Sequence, residues 1–404
     1  MSIIVRPNNF DFSELHQRIQ WYVDEDIIPF ANTLILQGDE VVDKHFYGKN
    51  TDGGSAPPAE NAIFRMHSST KIATSVAAMM LFEQGKFKLD DPIGQFIPEL
   101  GEMSVLKPDA VSIEDTEPAN CAISVRHLLS HTAGLSYGFI EPEGLIDSAY
   151  NRRGINPFIP GGVKTLEDLC SRLGEMPLVY HPGAFWRYSF ATDVTARLVE
   201  VVSGQRFDEF LKTHIFNPLG MIDTDFFVPP EKLSRLTTMY APNDALDPMS
   251  VCPTPADTAA NPANSVRPSF LSGGGGLMST LPDYLTFAKM IINQGRHAET
   301  RLLKPETLAL MRSNQCAPGV IVNFPMWSMP GTGFGLGFAL KGEPAPGEPV
   351  QATGEYHWGG MAGTHFWWSA QANIAGVCMT QRMPGFWHPF SHDFKRLAYQ
   401  IVGI

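Results

Sequence analysis

One apolar segment constrains the fold of this chain more than any other feature of its sequence. Residues 68–84 carry apolar side chains nearly all the way round a predicted helix that ends at Gly85. A helix of this kind is stable inside a protein core. Its longest uncharged run, Ile72–Phe82, is far shorter than the roughly 18 residues that a membrane span requires. The segment therefore predicts a buried helix in a protein that does not cross a membrane.

Charge and cysteine usage limit the classes of partner. The 404 residues include 42 acidic and 30 basic side chains, which gives a formal net charge of −12. Phosphate binding needs a positive surface field, so nucleic acids and anionic membranes are not expected partners. The five cysteines contain no CxxC pair, and an odd number cannot all pair with one another. Since no signal-peptide pattern is visible either, we expect a cytoplasmic protein with reduced thiols, in an oligomeric state that the sequence leaves open.

Strand patterns occur at both ends of the chain and helical patterns dominate between them. The strand-like runs are residues 32–37, 41–47, 334–341, 364–369 and 374–380. The helical windows are residues 12–29, 68–84, 124–131, 165–175, 192–203, 207–215 and 392–402. This order predicts an α+β fold, an antiparallel sheet flanked by helices with a mostly helical insertion. We expect residues 1–100 and 270–404 to form an α/β domain and residues 101–269 a mostly helical domain, with the active site in the cleft between them.

An S-x-x-K motif opens the buried helix. Ser68 and Lys71 are three residues apart, so both side chains lie on one helix face and the lysine can reach the serine hydroxyl. A serine becomes a good nucleophile when a neighbouring base takes its proton, and burial would lower the pKa of Lys71 toward neutrality. Taken alone, the motif is more often a helix-capping serine followed by a surface lysine. Its significance depends on the motifs that accompany it.

The S-x-x-K motif lies in the first of five characteristic segments between residues 60 and 370. They are FRMHSSTKIATSVAAMMLFEQGKFKLDDPIGQFIPEL, RHLLSHTAGL, HPGAFWRYSFATDVTARLVEVVSG, GGGGLMSTLPDYLTFAKMIINQG and HWGGMAGTHFWW. In order and spacing they resemble the serine β-lactamase-like superfamily, in which S-x-x-K accompanies two further motifs. The branch that they resemble most is the family VIII carboxylesterases, which share the fold of class C β-lactamases.

The resemblance assigns roles to three catalytic residues. Ser68 matches the serine that accepts the acyl group, and Lys71 matches its partner. Tyr188 matches the tyrosine of the family's Y-x-N motif, which serves as general base or proton relay beside the serine. Residue type alone would not select Tyr188, because a phenol with a pKa near 10 is a poor base at neutral pH. No metal and no cofactor are implied.

The resemblance also predicts the surroundings of the carbonyl group. Trp358, Gly359 and Gly360 stand where β-lactamases carry K-T-G and where family VIII esterases usually carry W-G-G. By the same match, the backbone amides of Ser68 and Met361 would form the oxyanion hole.

Two aromatic residues replace polar groups of the β-lactamase pattern. Phe190 stands at the Asn of Y-x-N, and Trp358 stands at the Lys of K-T-G. Both replaced groups bind polar parts of a β-lactam, so their loss argues against efficient β-lactam hydrolysis. We expect Phe190 and Trp358 to line the cleft and to favour an uncharged ester.

Three other patterns have structural explanations. Ser136 lies in a G-x-S-x-G sequence, but the strand–turn–helix context of a nucleophile elbow is missing. The histidine pairs 127/131 and 388/392 have helical ligand spacing without the Glu of H-E-x-x-H, which favours capping or packing over metal binding. The glycine run 273–276 lacks the lysine of a phosphate loop and predicts a close backbone approach beside the cleft.

These patterns together predict a serine carboxylesterase. We expect it to hydrolyse short-chain carboxylic esters, with a small-molecule ester as its partner, through an acyl-enzyme on Ser68. The alternatives within enzymes are a β-lactamase, a D-aminopeptidase, another amide hydrolase or an acyltransferase of the same fold. The alternative from another class is a non-catalytic penicillin-binding-like protein.

Overall fold

A computed structural model describes residues 2–49, 56–157, 159, 161–325, 327–346, 348–386 and 388–403. The α-helices are α1 (Ser13–Asp24), α2 (Thr70–Glu83), α3 (Val125–Leu129), α4 (Leu145–Arg152), α5 (Leu166–Gly174), α6 (Ala191–Ser203), α7 (Phe207–Leu211), α8 (Asn217–Leu219), α9 (Leu281–Ile292), α10 (Pro305–Met311) and α11 (Pro389–Val402). The strands are β1 (Phe30–Gln37), β2 (Glu40–Gly48), β3 (Ile63–Arg65), β4 (Ser104–Leu106), β5 (Thr116–Pro118), β6 (Met239–Ala241), β7 (Thr254–Asp257), β8 (Met278–Thr280), β9 (Arg296–His297), β10 (Thr300–Arg301), β11 (Asn323–Phe324), β12 (Trp327–Ser328), β13 (Thr332–Phe334), β14 (Ala339–Lys341), β15 (Tyr356–Gly359), β16 (Thr364–Ser369) and β17 (Ile374–Met379).

Seven strands from the two ends of the chain form one antiparallel sheet in the order β13-β14-β15-β16-β17-β1-β2. The N-terminal hairpin joins the C-terminal strands through β1 and β17, where Asn32 lies opposite Met379 and Gln37 lies opposite Ile374. The predicted α+β architecture is confirmed: an antiparallel sheet is assembled from both termini and is flanked by helices.

Helices cover both faces of this sheet. In β16, Phe366 and Trp368 belong to the large core that also contains α2, whereas Trp367 belongs to a second core with α1 and α11. Successive strand side chains point to opposite faces, so a strand between two cores is apolar on both sides. This explains the uninterrupted aromatic run in that strand.

The apolar helix α2 lies in the large core, as its sequence predicts. Most of its residues are buried, including those on the side that a surface helix would expose. A single turn of 3₁₀-helix, His67–Ser69, precedes it, and Gly85 follows it with a φ of +71°. Glycine adopts such a left-handed conformation without the steric cost that a Cβ imposes.

Several predicted boundaries differ from the structure, and three of the differences have an identifiable local cause. The run 334–341 is two strands, β13 and β14, because Gly337 turns the chain at a φ of +99° and lies close to Ser75. The first helix ends at Asp24 rather than near residue 29, because Asp26 adopts a φ of +53° and Ile27 donates back to the carbonyl of Tyr22. The last helix begins at Pro389 rather than near residue 392, with His388 as its cap.

Helices α3–α8 all lie within residues 101–269, and this segment also holds β4–β7. The large core contains residues of α2, from the predicted α/β domain, and of α6, from the predicted helical domain. It therefore extends across the predicted domain boundary. Within the described ranges, no helix has both the length and the apolar character to cross a membrane.

Candidate active site

Ser68 lies in the tight turn between β3 and α2, and the central sheet holds that turn in place. The Ser69 hydroxyl donates to the Thr364 carbonyl at 2.9 Å, and the Thr364 hydroxyl donates to the Met66 carbonyl at 2.9 Å. His67, immediately before the serine, adopts a left-handed φ of +44°. A non-glycine residue in this region costs on the order of 1–3 kcal/mol and persists when its surroundings fix it. The sheet contacts supply that constraint and present Ser68 at the start of the helix.

Lys71 reaches Ser68 from one turn further along α2. Its Nζ lies 3.2 Å from the Ser68 Oγ and donates to the Gly274 carbonyl at 2.6 Å. The side chain is buried, and burial lowers the pKa of Lys71 to about 7, while the charge of Asp193 opposes this shift. A large fraction of Lys71 is therefore neutral near pH 7 and able to accept a proton.

Tyr188 approaches the same serine from the loop before α6. Its hydroxyl donates to the Ser68 Oγ at 2.6 Å. Burial raises the pKa of Tyr188 above its usual value near 10, and the hydrogen bond to Ser68 opposes this shift. The phenol therefore stays protonated at neutral pH, which suits a group that passes a proton on rather than a base at rest. The Lys71 Nζ lies 4.5 Å from the centre of the Tyr188 ring.

Asp193 is a buried carboxylate that the sequence analysis missed. Its Oδ1 accepts from the Ser272 hydroxyl at 2.7 Å and from the Gly274 amide at 3.1 Å. A Cβ on Gly274 would lie 2.6 Å from the other carboxylate oxygen, so only glycine fits there without displacement. The carboxylate thus holds the backbone whose carbonyl binds Lys71. An aspartate near the start of the predicted helix 192–203, five residues after Tyr188, is the sequence signal that could have identified it.

The glycine run 273–276 has the structural role that the sequence predicts. Gly273 packs against α6, where a Cβ would lie 2.6 Å from Ala196, and its carbonyl accepts from the Thr74 hydroxyl at 2.7 Å. The backbone of this glycine run thus lies in close contact with both α2 and α6, next to Ser68.

The W-G-G segment ends strand β15 against the serine turn. A Cβ on Gly360 would collide with the Met66 carbonyl and the Thr364 hydroxyl, and a Cβ on Gly359 would collide with His365. Both glycines therefore allow the strand to approach closely.

The family resemblance assigns the backbone amides of Ser68 and Met361 to an oxyanion hole. Met361, the residue after Gly360, is 36% exposed and lines the same cavity as Ser68. Among the described residues, no acceptor engages the backbone amide of Ser68 or of Met361.

Phe190 and Trp358 do not line the cavity, which corrects the expectation from sequence. Each side chain is 1% exposed. Phe190 packs edge-on against Tyr137, with ring centres 4.5 Å apart. Trp358 packs against Tyr188 and Phe386, with ring centres 5.4 and 5.3 Å away. Trp358 thus supports two residues that line the cavity, and Phe190 supports Tyr137, whose ring centre lies 5.2 Å from that of Tyr188.

Ser136 lies outside the site. It is fully buried, donates to Asp147 and accepts from the Arg187 Nε at 2.8 Å. Arg187 also pairs with Asp147 at 3.3 Å. The G-x-S-x-G serine is thus part of a buried ion-pair network, and within the described ranges no histidine bonds to its hydroxyl.

The histidine pairs cap and pack. His127 caps α3 through Ser124, and the ring of His131 contacts the hydroxyls of Ser189 and Thr192 at 3.3 Å each. His388 caps α11. In the part of the chain that the structure describes, no cluster of His, Cys, Asp and Glu side chains is arranged to hold a metal ion.

A largely apolar cavity of about 370 Å³ opens beside Ser68. It is lined by Ser68, Phe139, Ile140, Tyr188, Ala245, Leu246, Pro248, Phe324, Pro325, Met361, Pro384, Phe386 and His388. No lysine, arginine or carboxylate is among these residues, so the cavity suits an uncharged molecule.

The beta-lactamase family model matches residues 15–400. The chain belongs to the beta-lactamase family. Within this family, Protein Rv1367c of Mycobacterium tuberculosis is 33% identical over 370 residues, which cover 89% of this chain and 88% of that protein. Esterase EstB of Burkholderia gladioli is 30% identical over 355 residues, which cover 85% and 83%. These relatives confirm the predicted serine β-lactamase-like superfamily, near the family VIII esterases.

A solved structure agrees with the fold of this beta-lactamase family member. EstCE1, described as a hydrolase with promiscuous acyltransferase activity, superposes with a TM-score of 0.78 at 26% identity. The match covers 95% of this chain and 98% of EstCE1. The fold and the relatives together support a hydrolase.

Proposed function

We propose that this chain is a serine carboxylesterase that hydrolyses small, uncharged, short-chain esters through an acyl-enzyme on Ser68. The observation that carries the proposal is the convergence of two proton-transfer groups on one hydroxyl. Lys71 lies 3.2 Å and Tyr188 lies 2.6 Å from the Ser68 Oγ. The esterase relatives and the uncharged cavity support the same substrate class.

In the acylation step, neutral Lys71 takes the Ser68 proton as the Oγ attacks the ester carbonyl. The amides of Ser68 and Met361 would stabilise the oxyanion of the tetrahedral intermediate. Tyr188 donates its proton to the departing alkoxide and regains one from Lys71, so the alcohol leaves neutral. Water then attacks the acyl-enzyme by the reverse proton route, which releases the acid and restores Ser68.

Two segments of the chain meet at this site. Ser68, Lys71 and Met361 come from residues 1–100 and 270–404, and Tyr188 comes from residues 101–269. We propose that these segments are the two domains that the sequence predicts and that catalysis takes place in the cleft between them.

The thiol content supports a cytoplasmic setting, which is also part of the proposal. All five cysteines are free, and two of them, Cys170 and Cys378, are buried. Free thiols persist in reducing compartments.

Acyl transfer to an alcohol is the second candidate, because EstCE1 combines hydrolysis with acyltransferase activity. The two activities share the acyl-enzyme and differ in whether water or an alcohol attacks it. An apolar cavity of this size holds an alcohol as readily as an ester.

Intact-mass spectrometry tests both candidates at once. The protein is incubated with p-nitrophenyl acetate or butyrate, with and without benzyl alcohol, and with benzylpenicillin. We expect a transient acyl adduct from the esters and free acid as the main product without alcohol. Benzyl ester formation at the expense of acid would favour the acyltransferase. A lasting adduct from benzylpenicillin alone would indicate a penicillin-binding protein instead.

A further inference from the structure

One wall of the cavity beside Ser68 comes from a loop distant from it in sequence. Residues 244–250, here called the wall loop, contribute Ala245, Leu246 and Pro248 to the lining. The Leu246 side chain is 77% exposed although it is large and apolar. A bound apolar group would cover it, which makes the loop a candidate determinant of substrate choice.

The wall loop is held in shape by its own hydrogen bonds. The Asp244 amide donates to the Ser250 hydroxyl at 3.1 Å, which closes the base of the loop. The Leu246 amide donates to the Asp244 carboxylate at 2.9 Å, and the Met249 amide donates to the Asp247 carboxylate at 2.8 Å. A loop that is already ordered loses little conformational freedom when a ligand binds.

His388 connects the wall loop to helix α11. Its Nε2 donates to the Pro248 carbonyl at 2.5 Å, and its Nδ1 accepts from the Phe390 amide at 3.2 Å. The Nε2 bond therefore holds the wall loop, and the Nδ1 bond caps helix α11. His388 itself also lines the cavity, so the contact lies at the wall rather than behind it.

Arg382 makes a second connection from the chain after β17. Its buried guanidinium donates to the Asp247 carbonyl at 3.3 Å, to the Ser250 carbonyl at 3.4 Å and to the Pro384 carbonyl at 2.8 Å. Pro384 lines the cavity as well. One arginine thus ties two parts of the cavity lining together.

We infer that the wall loop, held by His388 and Arg382, selects esters that carry an apolar group of about six to eight carbons. This inference rests on the proposed ester hydrolysis at Ser68 and replaces its short-chain preference with this longer chain. The cavity has room for about a dozen non-hydrogen atoms at roughly 30 Å³ each. An ester group of a few atoms leaves most of that space for a hydrocarbon chain in contact with Leu246.

The hydrocarbon chain belongs either to the acyl group or to the alcohol of the ester, and two substrate series distinguish these cases. One series is p-nitrophenyl acetate, butyrate, hexanoate and octanoate, which lengthens the acyl group. The other is ethyl, butyl, hexyl and octyl acetate, which lengthens the alcohol. Full burial of each methylene is worth about fourfold in binding, and we expect kcat/KM to rise at least about twentyfold along one series.

Leu246→Ser tests the wall directly, with Ile222→Ser as its matched control. The side chains of Leu246 and Ile222 are equally exposed, at 77% and 78%, but Ile222 is not among the residues that line this cavity. We expect Leu246→Ser to lower the ratio of octyl-chain to short-chain kcat/KM about fivefold or more in the series that rises. Ile222→Ser should leave the ratio unchanged.

His388→Asn separates positioning of the loop from capping of the helix. Asparagine caps helices well, but its shorter side chain does not reach the Pro248 carbonyl. We expect the chain-length ratio to fall at least threefold while Tm changes by less than about 3 °C.

The outcomes distinguish this inference from the proposed function. A steep series that Leu246→Ser flattens supports the inference. If esters are hydrolysed but both series are flat, or if Leu246→Ser leaves the ratio unchanged, the inference is wrong and the esterase proposal stands. If neither series is hydrolysed and a fluorophosphonate does not label Ser68, the proposed function fails and this inference fails with it.

Discussion

The hydroxyl of Tyr188 lies 2.6 Å from the Oγ of Ser68, although 120 positions separate the two residues in the sequence. Tyr188 leads into α6 and Ser68 leads into α2, and these two helices pack against each other in the large core. The helix pair therefore fixes a contact between two side chains that stand at the helix starts. Since Lys71 follows Ser68 by one turn, the same packing brings all three groups together.

The proton relay predicts that Lys71 and Tyr188 act as one unit. We expect Lys71→Ala and Tyr188→Phe each to lower kcat for p-nitrophenyl butyrate by about 10² or more, because each removes a step of proton transfer. The double variant should be little worse than the poorer single variant. Steady-state kinetics on the four proteins measures this, and a double variant that shows the full product of the two losses would argue for independent roles.

The buried lysine predicts an acid limb in the pH profile. Lys71 has a lowered pKa of about 7 and acts in its neutral form, so kcat/KM should rise with pH through about 7 and fall below it. The charge of Asp193 raises this pKa, so Asp193→Asn should move the limb to lower pH, while its side-chain oxygen still accepts from Ser272 and Gly274. A limb at the same pH in both proteins would show that another group controls the profile.

Gly360, just after the end of β15, lies in close contact with the turn that holds Ser68. We therefore predict that Gly360→Ala lowers catalytic activity. The added Cβ would collide with the Met66 carbonyl and the Thr364 hydroxyl, which hold the serine turn. We expect kcat to fall at least tenfold because Ser68 moves relative to Lys71 and Tyr188. The matched control is Gly101→Ala, where φ is an ordinary −74° and the atom nearest to a Cβ would lie 3.1 Å away. Equal kcat values for Gly360→Ala and the control would contradict the proposed role of this contact.

Local rules predicted the part of the site that lies on one helix. The spacing of Ser68 and Lys71 is enough to bring them together, and the hydrogen bond between them has the expected geometry. Tyr188 came from family resemblance, because no local rule places a loop tyrosine beside a serine 120 residues away. The antiparallel sheet was likewise predictable from strand-like runs at both ends of the chain.

The positions of several other side chains depend on tertiary packing, which the sequence alone did not predict. Phe190 and Trp358 occupy positions that hold polar groups in β-lactamases, but their side chains are buried behind Tyr137 and Phe386. Asp193 and the wall loop make their contacts with segments that are distant in the sequence. The periodicity of apolar residues does not reveal such contacts. The division of 334–341 into two strands depends on Gly337, which has a φ of +99° and lies so close to Ser75 of α2 that a Cβ would collide with it.

The uncharged cavity predicts selectivity for esters over β-lactams. A penicillin carboxylate would lose hydration there without gaining a cationic partner, whereas a neutral ester would not. We expect kcat/KM for p-nitrophenyl butyrate to exceed that for benzylpenicillin by at least about 10², or roughly 2.7 kcal/mol. Leu246→Lys places an ammonium at the exposed rim and should narrow the gap, with Ile222→Lys as control. Comparable rates on both substrates in the unmodified protein would overturn this explanation.

The central claim is that Ser68 accepts the acyl group, and comparison of two serine variants tests it most directly. The measurement is turnover of p-nitrophenyl butyrate together with the mass of the fluorophosphonate adduct, in Ser68→Ala and in Ser136→Ala. We expect Ser68→Ala to lose turnover to near background and to form no adduct. Ser136→Ala should keep most of its turnover per folded molecule and label once, because Ser136 is buried in an ion-pair network away from the cavity. Loss of the adduct in Ser136→Ala with retention in Ser68→Ala would contradict the account.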